Sequence, residues 1–378
     1  MTPDLKEKIR CAAVESGFSA CGFSSALPLP VTSLLEQWIS ADRHGFMDYL
    51  ERDQDLRVDP GAQLAGAASV VVLALPCPAP PPPPLDWRSS LKGRIASYAA
   101  GEDYHHTMGR KLESFTEQLQ RMAPGDLRWQ VDAGPLLEKD FARRAGLGWF
   151  GHNTNILTRD AGSWVMLGVV ITTALIEPDP PFEADHCGSC RACLPSCPTG
   201  ALDNGPTIQA DRCISYLTIE LRGPLPLHLR SLVGNWVFGC DLCQLACPWG
   251  PALRAEDSMG EFLYPSLIEI LELSEDDFRD RYRGSAVLRA KRRGLARNAA
   301  VALGNSDNQA AVGPLAEALA SDCDELVRAH SAWALGQLQG GEARAALNRS
   351  TKTQAPPVQA EIELARTACR AAPLQRSR

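Results

Sequence analysis

The sequence has no apolar segment long enough to cross a bilayer. A membrane-spanning helix needs roughly 18 consecutive apolar residues. The longest apolar segments, Val70–Leu75 and Val165–Ile171, have only the length of strands. The N-terminal sequence MTPDLKEKIR is charged and contains no apolar signal core. We therefore predict a cytoplasmic protein that is neither exported nor associated with a membrane.

The chain also has fewer basic than acidic residues. Its formal net charge is −7 at pH 7, which excludes a protein that coats nucleic acid with its whole surface but allows a local basic patch. The 45% hydrophobic and 22% charged content is ordinary for a globular protein and argues against long disorder or a fibre. At about 150 residues per domain, the length of 378 residues indicates two or three domains.

The pattern of the sequence predicts three consecutive domains: 1–180, 181–255 and 256–378. Residues 1–180 alternate helix and strand patterns, residues 181–255 hold most of the cysteines, and residues 256–378 are helical. In the first domain we predict three helices and two buried strands. The helices contain Leu5–Gly17, Leu34–Trp38 and Glu138–Ala145, and the strands are Val70–Leu75 and Trp164–Thr172.

Proline interrupts the first domain. The segment Pro76–Pro84 contains five consecutive prolines at 80–84, which predicts an extended surface loop because proline lacks the backbone N–H that helices and central strands need. The alternative is a recognition site for a proline-binding module.

The last domain contains an internal echo. Arg297–Gly304 (RNAAVALG) is similar to Arg328–Gly336 (RAHSAWALG), and the two arginines are 31 residues apart. This spacing favours helical-hairpin repeats of the HEAT type, with Asp307 and Asn308 in the turn between repeats. The alternative is a set of unrelated alanine-rich helices.

Cysteine is the most informative residue. The chain has thirteen, of which eight lie between Cys187 and Cys247. Because cytosolic thiols stay reduced, this crowding indicates a metal centre. The spacing C-x2-C-x2-C-x3-C-P, which begins at Cys187, is typical of bacterial ferredoxins, in which the first three thiolates bind one [4Fe–4S] cluster and the fourth binds its neighbour. A second run, C-x2-C-x3-C-P, begins at Cys240.

The same crossing logic predicts two complete ligand sets. Cluster one takes Cys187, Cys190, Cys193 and Cys247, and cluster two takes Cys197, Cys213, Cys240 and Cys243. Two zinc sites are the alternative, although they do not require the third cysteine or the proline that ends each run. The isolated cysteines, which are Cys11, Cys21, Cys77, Cys323 and Cys369, are predicted to be small buried hydrophobic residues. Paired clusters pass single electrons, which favours delivery to a catalytic centre.

Several segments together resemble the tRNA epoxyqueuosine reductase family. They are Ile95–His105, Val131–Leu157, the eight clustered cysteines, Asp211–Arg222 and Ala290–Asn305. The resemblance implies a multidomain α/β, ferredoxin-like and α fold. It comprises a nitroreductase-like corrinoid-binding domain, a bacterial-type two-cluster module and a HEAT-like domain that holds tRNA. The implied reaction is the reductive removal of the epoxide oxygen of epoxyqueuosine, at the anticodon wobble position, to give queuosine.

The resemblance also implies cobalamin as cofactor and Asp132 as proton donor. A carboxyl group donates a proton near neutral pH only if burial raises its pKa. The alternative is that Asp132 accepts backbone hydrogen bonds where a strand meets a turn. The implied cobalamin contacts are Arg57, Ser97, Asp132, Asn153, Asn155, Ser215, Cys240 and Asp241. A surface salt bridge for Arg57 and an ordinary turn at Asn153–Asn155 remain alternatives.

Two histidines follow an acidic residue in the string Asp103–Gly109. The corrinoid motif that supplies a lower histidine ligand is Asp-x-His-x-x-Gly, and this string is one residue longer. We therefore expect His105 and His106 to be loop or helix-start residues and not cobalt ligands.

A basic segment predicts the contact with tRNA. Seven arginines and lysines and no acidic residue lie between Arg281 and Arg297, which suits phosphate contacts that weaken with salt. A solvated helix face is the alternative. The predicted tRNA contacts are Glu220, Arg222, Arg289, Lys291, Arg292, Arg293, Arg297 and Asn298. We expect the wobble base to flip into the active site.

The predicted partners are the anticodon stem-loop of tRNAs with a GUN anticodon and reduced ferredoxin or flavodoxin as electron donor, with the protein acting as a monomer. Two other functions remain open. A corrinoid reductive dehalogenase relative would leave the basic segment and the repeats without a role. A non-catalytic ferredoxin-type electron carrier would leave the first domain without one.

Overall fold

The computed structural model describes residues 3–83, 86–132, 134–203, 205–250, 259–350 and 355–371. The chain forms two compact units. The first unit contains residues 1–79, 102–211 and 241–255, and the second contains residues 80–101, 212–240 and 256–378. The units therefore interleave along the sequence, unlike the three consecutive domains that the sequence predicts.

Short strands and many helices alternate along the chain. The strands are β1 (Ala20–Ser25), β2 (Ser69–Pro76), β3 (Arg94–Ile95), β4 (Leu127–Val131), β5 (Trp149–Phe150), β6 (Ile156–Leu157), β7 (Val165–Thr172) and β8 (Trp236–Phe238). The helices up to the second cysteine run are α1 (Pro3–Glu15), α2 (Thr32–Ser40), α3 (Gln54–Val58), α4 (Pro60–Gln63), α5 (Trp87–Ser90), α6 (Tyr104–Met122), α7 (Glu138–Arg144), α8 (Cys193–Ser196), α9 (Ile214–Ile219), α10 (Leu227–Arg230) and α11 (Leu242–Leu245). The C-terminal helices are α12 (Gly260–Leu263), α13 (Leu267–Glu272), α14 (Glu275–Arg281), α15 (Lys291–Gly304), α16 (Val312–Ser321), α17 (Glu325–Leu338), α18 (Gly340–Arg349) and α19 (Pro356–Ala371). Within the described ranges, no helix combines the length and apolarity that crossing a bilayer requires.

The first unit is built on an antiparallel sheet with strand order β1-β2-β7-β4. Side chains alternate between the faces of a strand, yet Val70 to Ala74 are all fully buried. Helix α7 packs on one face, and α1 and α6 pack on the other. Because both faces are covered, the central strands are continuously apolar, and the predictions of buried strands at Val70–Leu75 and Trp164–Thr172 are confirmed.

The second unit stacks helices in the order α13, α15, α17 and α19. A Cβ atom added to Gly304 would lie 2.8 Å from the Cα of Ala334, and one added to Gly336 would lie 2.8 Å from the Cβ of Ala365. Each glycine thus lets the next helix of the stack approach closely, which explains why both echoed segments end in Ala-Leu-Gly. The predicted repeat is confirmed. Asp307 and Asn308, however, lie between α15 and α16, within one repeat and not between two.

Arg297 attaches residues 212–240 to this stack. Its side chain is fully buried, and its Nη atoms donate to the carbonyls of Leu217, Leu221 and Gly223 at 2.7–2.8 Å. The neighbouring Asn298 donates to the carbonyl of Val237 at 2.8 Å. These bonds explain why the segment after Asp211 belongs to the helical unit and not to a separate cysteine domain.

The proline segment is extended but only partly on the surface. Ala79, Pro80 and Pro81 are buried, and Pro82 is exposed. The carbonyl of Pro81 accepts a hydrogen bond from the Tyr264 hydroxyl at 2.6 Å. The prediction of a surface loop is therefore wrong for its first half. Pro84 lies outside the described residues.

Four of the isolated cysteines are less buried than predicted. Cys11 and Cys323 are exposed, and Cys21 and Cys77 are half-buried. Burial still raises the pKa of the Cys21 thiol, in β1, to about 12. Cys369 lies outside the side chains that the structure describes.

The close packing at Gly304 makes a testable prediction. We expect Gly304→Ala to lower the unfolding temperature and to destabilise the protein by about 1–3 kcal/mol, because the new methyl group would overlap α17. Gly313→Ala is the matched control, since a Cβ at Gly313 in α16 would meet nothing within 4 Å. Thermal unfolding followed by circular dichroism measures both variants. Equal effects of the two substitutions would contradict the packing account.

Candidate functional site

The cysteines of the predicted cluster one converge within the first unit. Cys187, Cys190, Cys193 and Cys247 line one cavity of about 70 Å³, which we call the thiol cavity. Burial, and then repulsion from the other thiols, raises the pKa of Cys193. Thiols placed together in this way become thiolates only when a cation compensates their charge. The arrangement therefore fits a metal centre, with Cys247 supplied by the second cysteine run.

An aromatic group surrounds the thiol cavity. The ring of Trp149 lies 4.8 Å from that of Trp249, 4.9 Å from that of His186 and 5.5 Å from that of Phe182. Among the described side chains, Nε1 of Trp149, Nε2 of His186 and Nδ2 of Asn153 are buried nitrogen atoms without a hydrogen-bond partner. His186 and Asn153 also line the cavity. Such N–H groups are suitable donors to the sulfur atoms of an iron–sulfur cluster.

The predicted ligands of cluster two divide between the two units. Cys197 and Cys243 belong to the first unit, and Cys213 and Cys240 belong to the second. The Sγ atom of Cys197 lies 3.5 Å from the hydroxyl of Thr199, which is itself buried. This ligand set stays a prediction.

Asp132 follows the last residue of β4 and has a left-handed backbone, with a φ of 42°. A non-glycine residue adopts this conformation rarely, and such strain is often found at functional sites. Its carboxylate accepts a hydrogen bond from the Tyr104 hydroxyl and lies 3.8 Å from Nε2 of His105. Because the Asp132 side chain is 57% exposed, the protein's own atoms do not supply the burial expected for a proton donor.

Helix α7 brings a second carboxyl group to Asp132. Burial, and then the charge of Asp132, raises the pKa of Glu138 to about 8. The Oε1 atom of Glu138 is buried and has no partner among the described groups. The next residue, Lys139, donates from Nζ to Oδ1 of Asn155 at 2.9 Å and to the carbonyl of Thr154 at 3.2 Å. Asn155 is thereby joined to the start of α7, close to Asp132.

Arg57 lies in α3 and supports the same loop. Its guanidinium donates to the carbonyl of Tyr49 at 2.9 Å and to that of Pro135 at 3.4 Å. Because both acceptors are main-chain oxygens, the structure does not support the alternative that Arg57 forms a surface salt bridge. Burial lowers the pKa of Arg57, and its Nε atom is buried without a partner within the described part of the chain.

The remaining predicted cobalamin residues are distributed over both units. Asp241 is buried at the start of α11 in the first unit. Ser97, Ser215 and Cys240 belong to the second unit, where Ser97 is buried in a single 3-10 turn. Asn153 lies in the first unit, at the thiol cavity.

The two histidines have different environments. Nδ1 of His105 lies 2.8 Å from Oδ1 of Asp103, the residue that caps α6, and its ring stacks on Tyr104 with 4.1 Å between centroids. His106 is exposed on the same helix. The prediction that both lie at a helix start is confirmed.

Only part of the predicted tRNA contact set is accessible. Arg222, Arg289, Lys291 and Arg293 are exposed, and we call them the basic surface of the second unit. Arg289 donates to Glu220 at 3.1 Å and accepts a bond from Arg222 at its carbonyl at 2.8 Å. The two predicted tRNA segments therefore meet within this unit.

Three predicted tRNA contacts are contradicted by their burial. Arg292 is 8% exposed and forms a bidentate pair with Asp322 at 2.5 and 2.8 Å. Arg297 and Asn298 are fully buried and donate to main-chain carbonyls. A count of basic residues in the sequence does not distinguish a buried arginine from an exposed one. Composition alone therefore did not show that Arg292 and Arg297 are buried.

Four side chains around Asp132 were not predicted to belong to the site. They are Tyr104, His105, Glu138 and Lys139, all of which lie within the segments that carried the family resemblance. Asp103 caps α6 two residues before His105 and orients its imidazole ring. This cap was the sequence signal for His105. No sequence signal marked Glu138, because its character comes from burial.

Family models match three parts of the chain. The model described as "Epoxyqueuosine reductase QueG, DUF1730" matches residues 57–133, the one described as "4Fe-4S double cluster binding domain" matches residues 186–250, and HEAT repeats match residues 284–365. The chain thus carries a double [4Fe–4S] cluster domain and HEAT repeats, and the zinc alternative is not supported.

Known proteins resemble nearly the whole chain. The epoxyqueuosine reductase of Pseudomonas aeruginosa is 37% identical over 339 residues, which cover 88% of this chain and 94% of that protein. A crystal structure of epoxyqueuosine reductase with an epoxyqueuosine-modified tRNA-Tyr stem loop has a TM-score of 0.89 and 31% identity, covering 97% of this chain and 99% of that one. The Bacillus subtilis enzyme, described with an aspartate catalytic loop swung out of the active site, has a TM-score of 0.86 and 30% identity, covering 97% and 99%. This chain therefore belongs to the epoxyqueuosine reductase family.

Proposed function

We propose that this protein removes the epoxide oxygen of epoxyqueuosine in tRNA by two-electron reduction and so produces queuosine. The observation that carries the proposal is the presence, in one unit, of a thiol cavity for an iron–sulfur cluster and of an acidic site built around Asp132. A similar crystal structure that contains an epoxyqueuosine-modified stem loop supports the substrate. The proposed electron donor is reduced ferredoxin or flavodoxin, and the proposed functional form is a monomer.

The thiol cavity would hold cluster one through Cys187, Cys190, Cys193 and Cys247. The unpartnered N–H groups of His186 and Asn153 fit this assignment, because cluster sulfurs accept hydrogen bonds. We assign Cys197, Cys213, Cys240 and Cys243 to cluster two on the ferredoxin spacing alone.

Cobalamin is the third proposed cofactor, held by a nitroreductase-like domain. Nε of Arg57, both polar atoms of Gln130 and Oε1 of Glu138 are buried without partners within the described residues. Gln130 adjoins Gly134, and Arg57 bonds Pro135, so these groups surround the loop that carries Asp132. Donors and acceptors in this arrangement fit the amide side chains of a corrin. We propose that Arg57, Asp132, Asn155 and Asp241 hold it.

The protein's own contribution to the reaction is proton transfer and positioning. When bound, cobalamin supplies the strong nucleophile or electron donor that the epoxide carbon requires. Tyr104 orients the Asp132 carboxyl, which gives a proton to the departing oxygen. Bound substrate and cofactor would cover this exposed carboxyl and exclude water from it. The Bacillus subtilis relative is described with an aspartate catalytic loop, which supports a catalytic aspartate in this family.

The basic surface of the second unit would contact the tRNA backbone. Lys291 and Arg293 are exposed at the start of α15, and Arg289 precedes them. Glu220 neutralises part of the charge on Arg289 at 3.1 Å. Phosphate contacts from such residues give affinity that falls with salt.

The ligand assignment predicts that Cys247→Ser removes cluster one although Cys247 lies in the second cysteine run. We expect about half of the iron to be lost, with the same remaining electron paramagnetic resonance signal as in Cys190→Ser. Cys243→Ser should lose cluster two and retain the electron paramagnetic resonance signal of cluster one. If Cys247→Ser and Cys243→Ser lost the same cluster, the crossed assignment would be wrong.

The role of Asp132 predicts a loss of turnover without a loss of cofactors. We expect Asp132→Asn to slow conversion of epoxyqueuosine by about 10²–10⁴-fold, the usual contribution of a positioned general acid. Iron, cobalt and tRNA binding should stay at wild-type levels. The measurement is nucleoside mass spectrometry of tRNA treated with the anaerobically reconstituted protein.

Glu138→Gln serves as the matched variant for the neighbouring carboxyl group. Because its raised pKa of about 8 keeps Glu138 protonated at neutral pH, the amide preserves its charge, and we expect less than a tenfold effect. A large loss in Glu138→Gln together with a small loss in Asp132→Asn would transfer the proton-donor role to Glu138.

The basic surface predicts a change in the salt dependence of tRNA binding. Replacing Lys291 and Arg293 by alanine should weaken stem-loop binding and reduce the slope of log K against log salt by about 1–2. Arg344→Ala with Arg349→Ala, at exposed positions of α18, changes the net charge equally and should leave the slope unchanged. Equal slopes for the two double variants would disprove the proposed surface.

A further inference from the structure

Deoxygenation of the substrate needs more protons than Asp132 holds. Conversion of an epoxide to an alkene and water consumes two electrons and two protons, because both C–O bonds break and the oxygen leaves as water. Electrons arrive through the clusters, but a single carboxyl group carries one proton. If Asp132 protonates the departing oxygen, it must be protonated again within one turnover while substrate covers it. This argument rests on the proposed function.

The structure offers one group to do this. Nε2 of His105 lies 3.8 Å from Oδ2 of Asp132, a separation that a small rotation of either side chain closes. Nδ1 of His105 lies 2.8 Å from Oδ1 of Asp103. Because Asp103 accepts the Nδ1 proton, the Nε2 position is left facing Asp132 as the atom that gains and loses a proton.

Asp103 is fixed by its place in the fold. Its carboxylate caps α6 by accepting from the backbone N–H of His105 at 3.0 Å, and it also accepts from the ring of the same residue. The ring is further fixed by stacking on Tyr104. The imidazole therefore cannot rotate freely away from Asp132.

The other side chains around Asp132 are less suitable. Tyr104 donates a hydrogen bond to Asp132, but it is 8% exposed and has no direct route to solvent protons. Lys139 directs its Nζ to Asn155 and Thr154. Glu138 is in a buried position with a raised pKa. His105, by contrast, has 23% of its side chain exposed, so it contacts both the solvent and the acid.

We propose that His105 takes a proton from solvent and returns it to Asp132 between the two protonation steps of each turnover. The transfer breaks the Nε2–H bond of the imidazolium and forms the O–H bond of the Asp132 carboxyl, and solvent then restores the imidazolium. His105 acts through Asp132, so it is a positioning and proton-supplying residue and does not itself contact the reacting atoms.

The test compares His105→Gln with His106→Gln in the reconstituted holoenzyme. The wild-type rate should change less with pH than the rate of a variant that lacks the relay. Without the relay, Asp132 must be protonated from water directly. The rate of His105→Gln should then fall steadily with pH and should be about tenfold or more below wild type at neutral pH. His106→Gln, at an exposed neighbouring position, should follow wild type.

Asp103→Asn is the second variant, because asparagine preserves the helix cap while removing the carboxylate that holds Nδ1 of the His105 ring. We expect its rate to lie between those of wild type and His105→Gln. Nitrogen NMR of the unloaded protein gives a readout that does not depend on activity. His105, identified by the absence of its signals in His105→Gln, should carry its proton on Nδ1, and Asp132→Asn should change the chemical shift of its Nε2 atom.

The outcomes separate the relay from the proposed function. If wild-type protein converts epoxyqueuosine but His105→Gln has the same rate and pH profile, the relay is wrong and the proposed function stands. If wild type converts nothing at any pH, the proposed function fails. The NMR result then decides the relay, since an Nε2 signal of His105 that stays unchanged in Asp132→Asn would overturn it.

Discussion

The hydrogen bond from the Tyr104 hydroxyl to Asp132 is the constraint on which the proposed chemistry depends. It joins the start of α6 to the end of β4 and holds a residue whose left-handed backbone would otherwise be unfavourable. Because the sheet is covered by helices on both faces, its strand ends are the places where polar groups can meet solvent. Asp132 lies at such a strand end, and His105 and Glu138 lie beside it in the first turns of α6 and α7.

The thiol cavity brings together cysteines that are distant in the sequence. The fourth thiol of the thiol cavity, Cys247, comes from a cysteine run that begins over fifty residues after Cys187. Residues 241–255 return to the first unit, whereas residues 212–240 remain with the helical stack through Arg297. The second cysteine run is thus divided between the units, with Cys240 in the second and with Cys243 and Cys247 in the first.

The sequence predicted those parts of the molecule in which the spacing of residues determines the ligand set or the local structure. The cysteine spacing identified a double cluster domain, apolar runs identified the central strands, and the echo ending in Gly304 and Gly336 identified the repeats. It failed where burial decides the role of a residue. Arg292, Arg297 and Asn298 were taken for surface contacts, and Cys11 and Cys323 for core residues. Each of these errors concerns a tertiary contact that local sequence does not encode.

The identity of the product is the most direct test of this account. We would incubate the reconstituted protein anaerobically with epoxyqueuosine-containing tRNA and a stoichiometric one-electron reductant, and then determine the modified nucleoside by mass. The account predicts a nucleoside that has lost one oxygen atom, formed at two electrons per molecule. A product that had gained water or two hydrogen atoms would show that the epoxide is opened and not removed, and would contradict it.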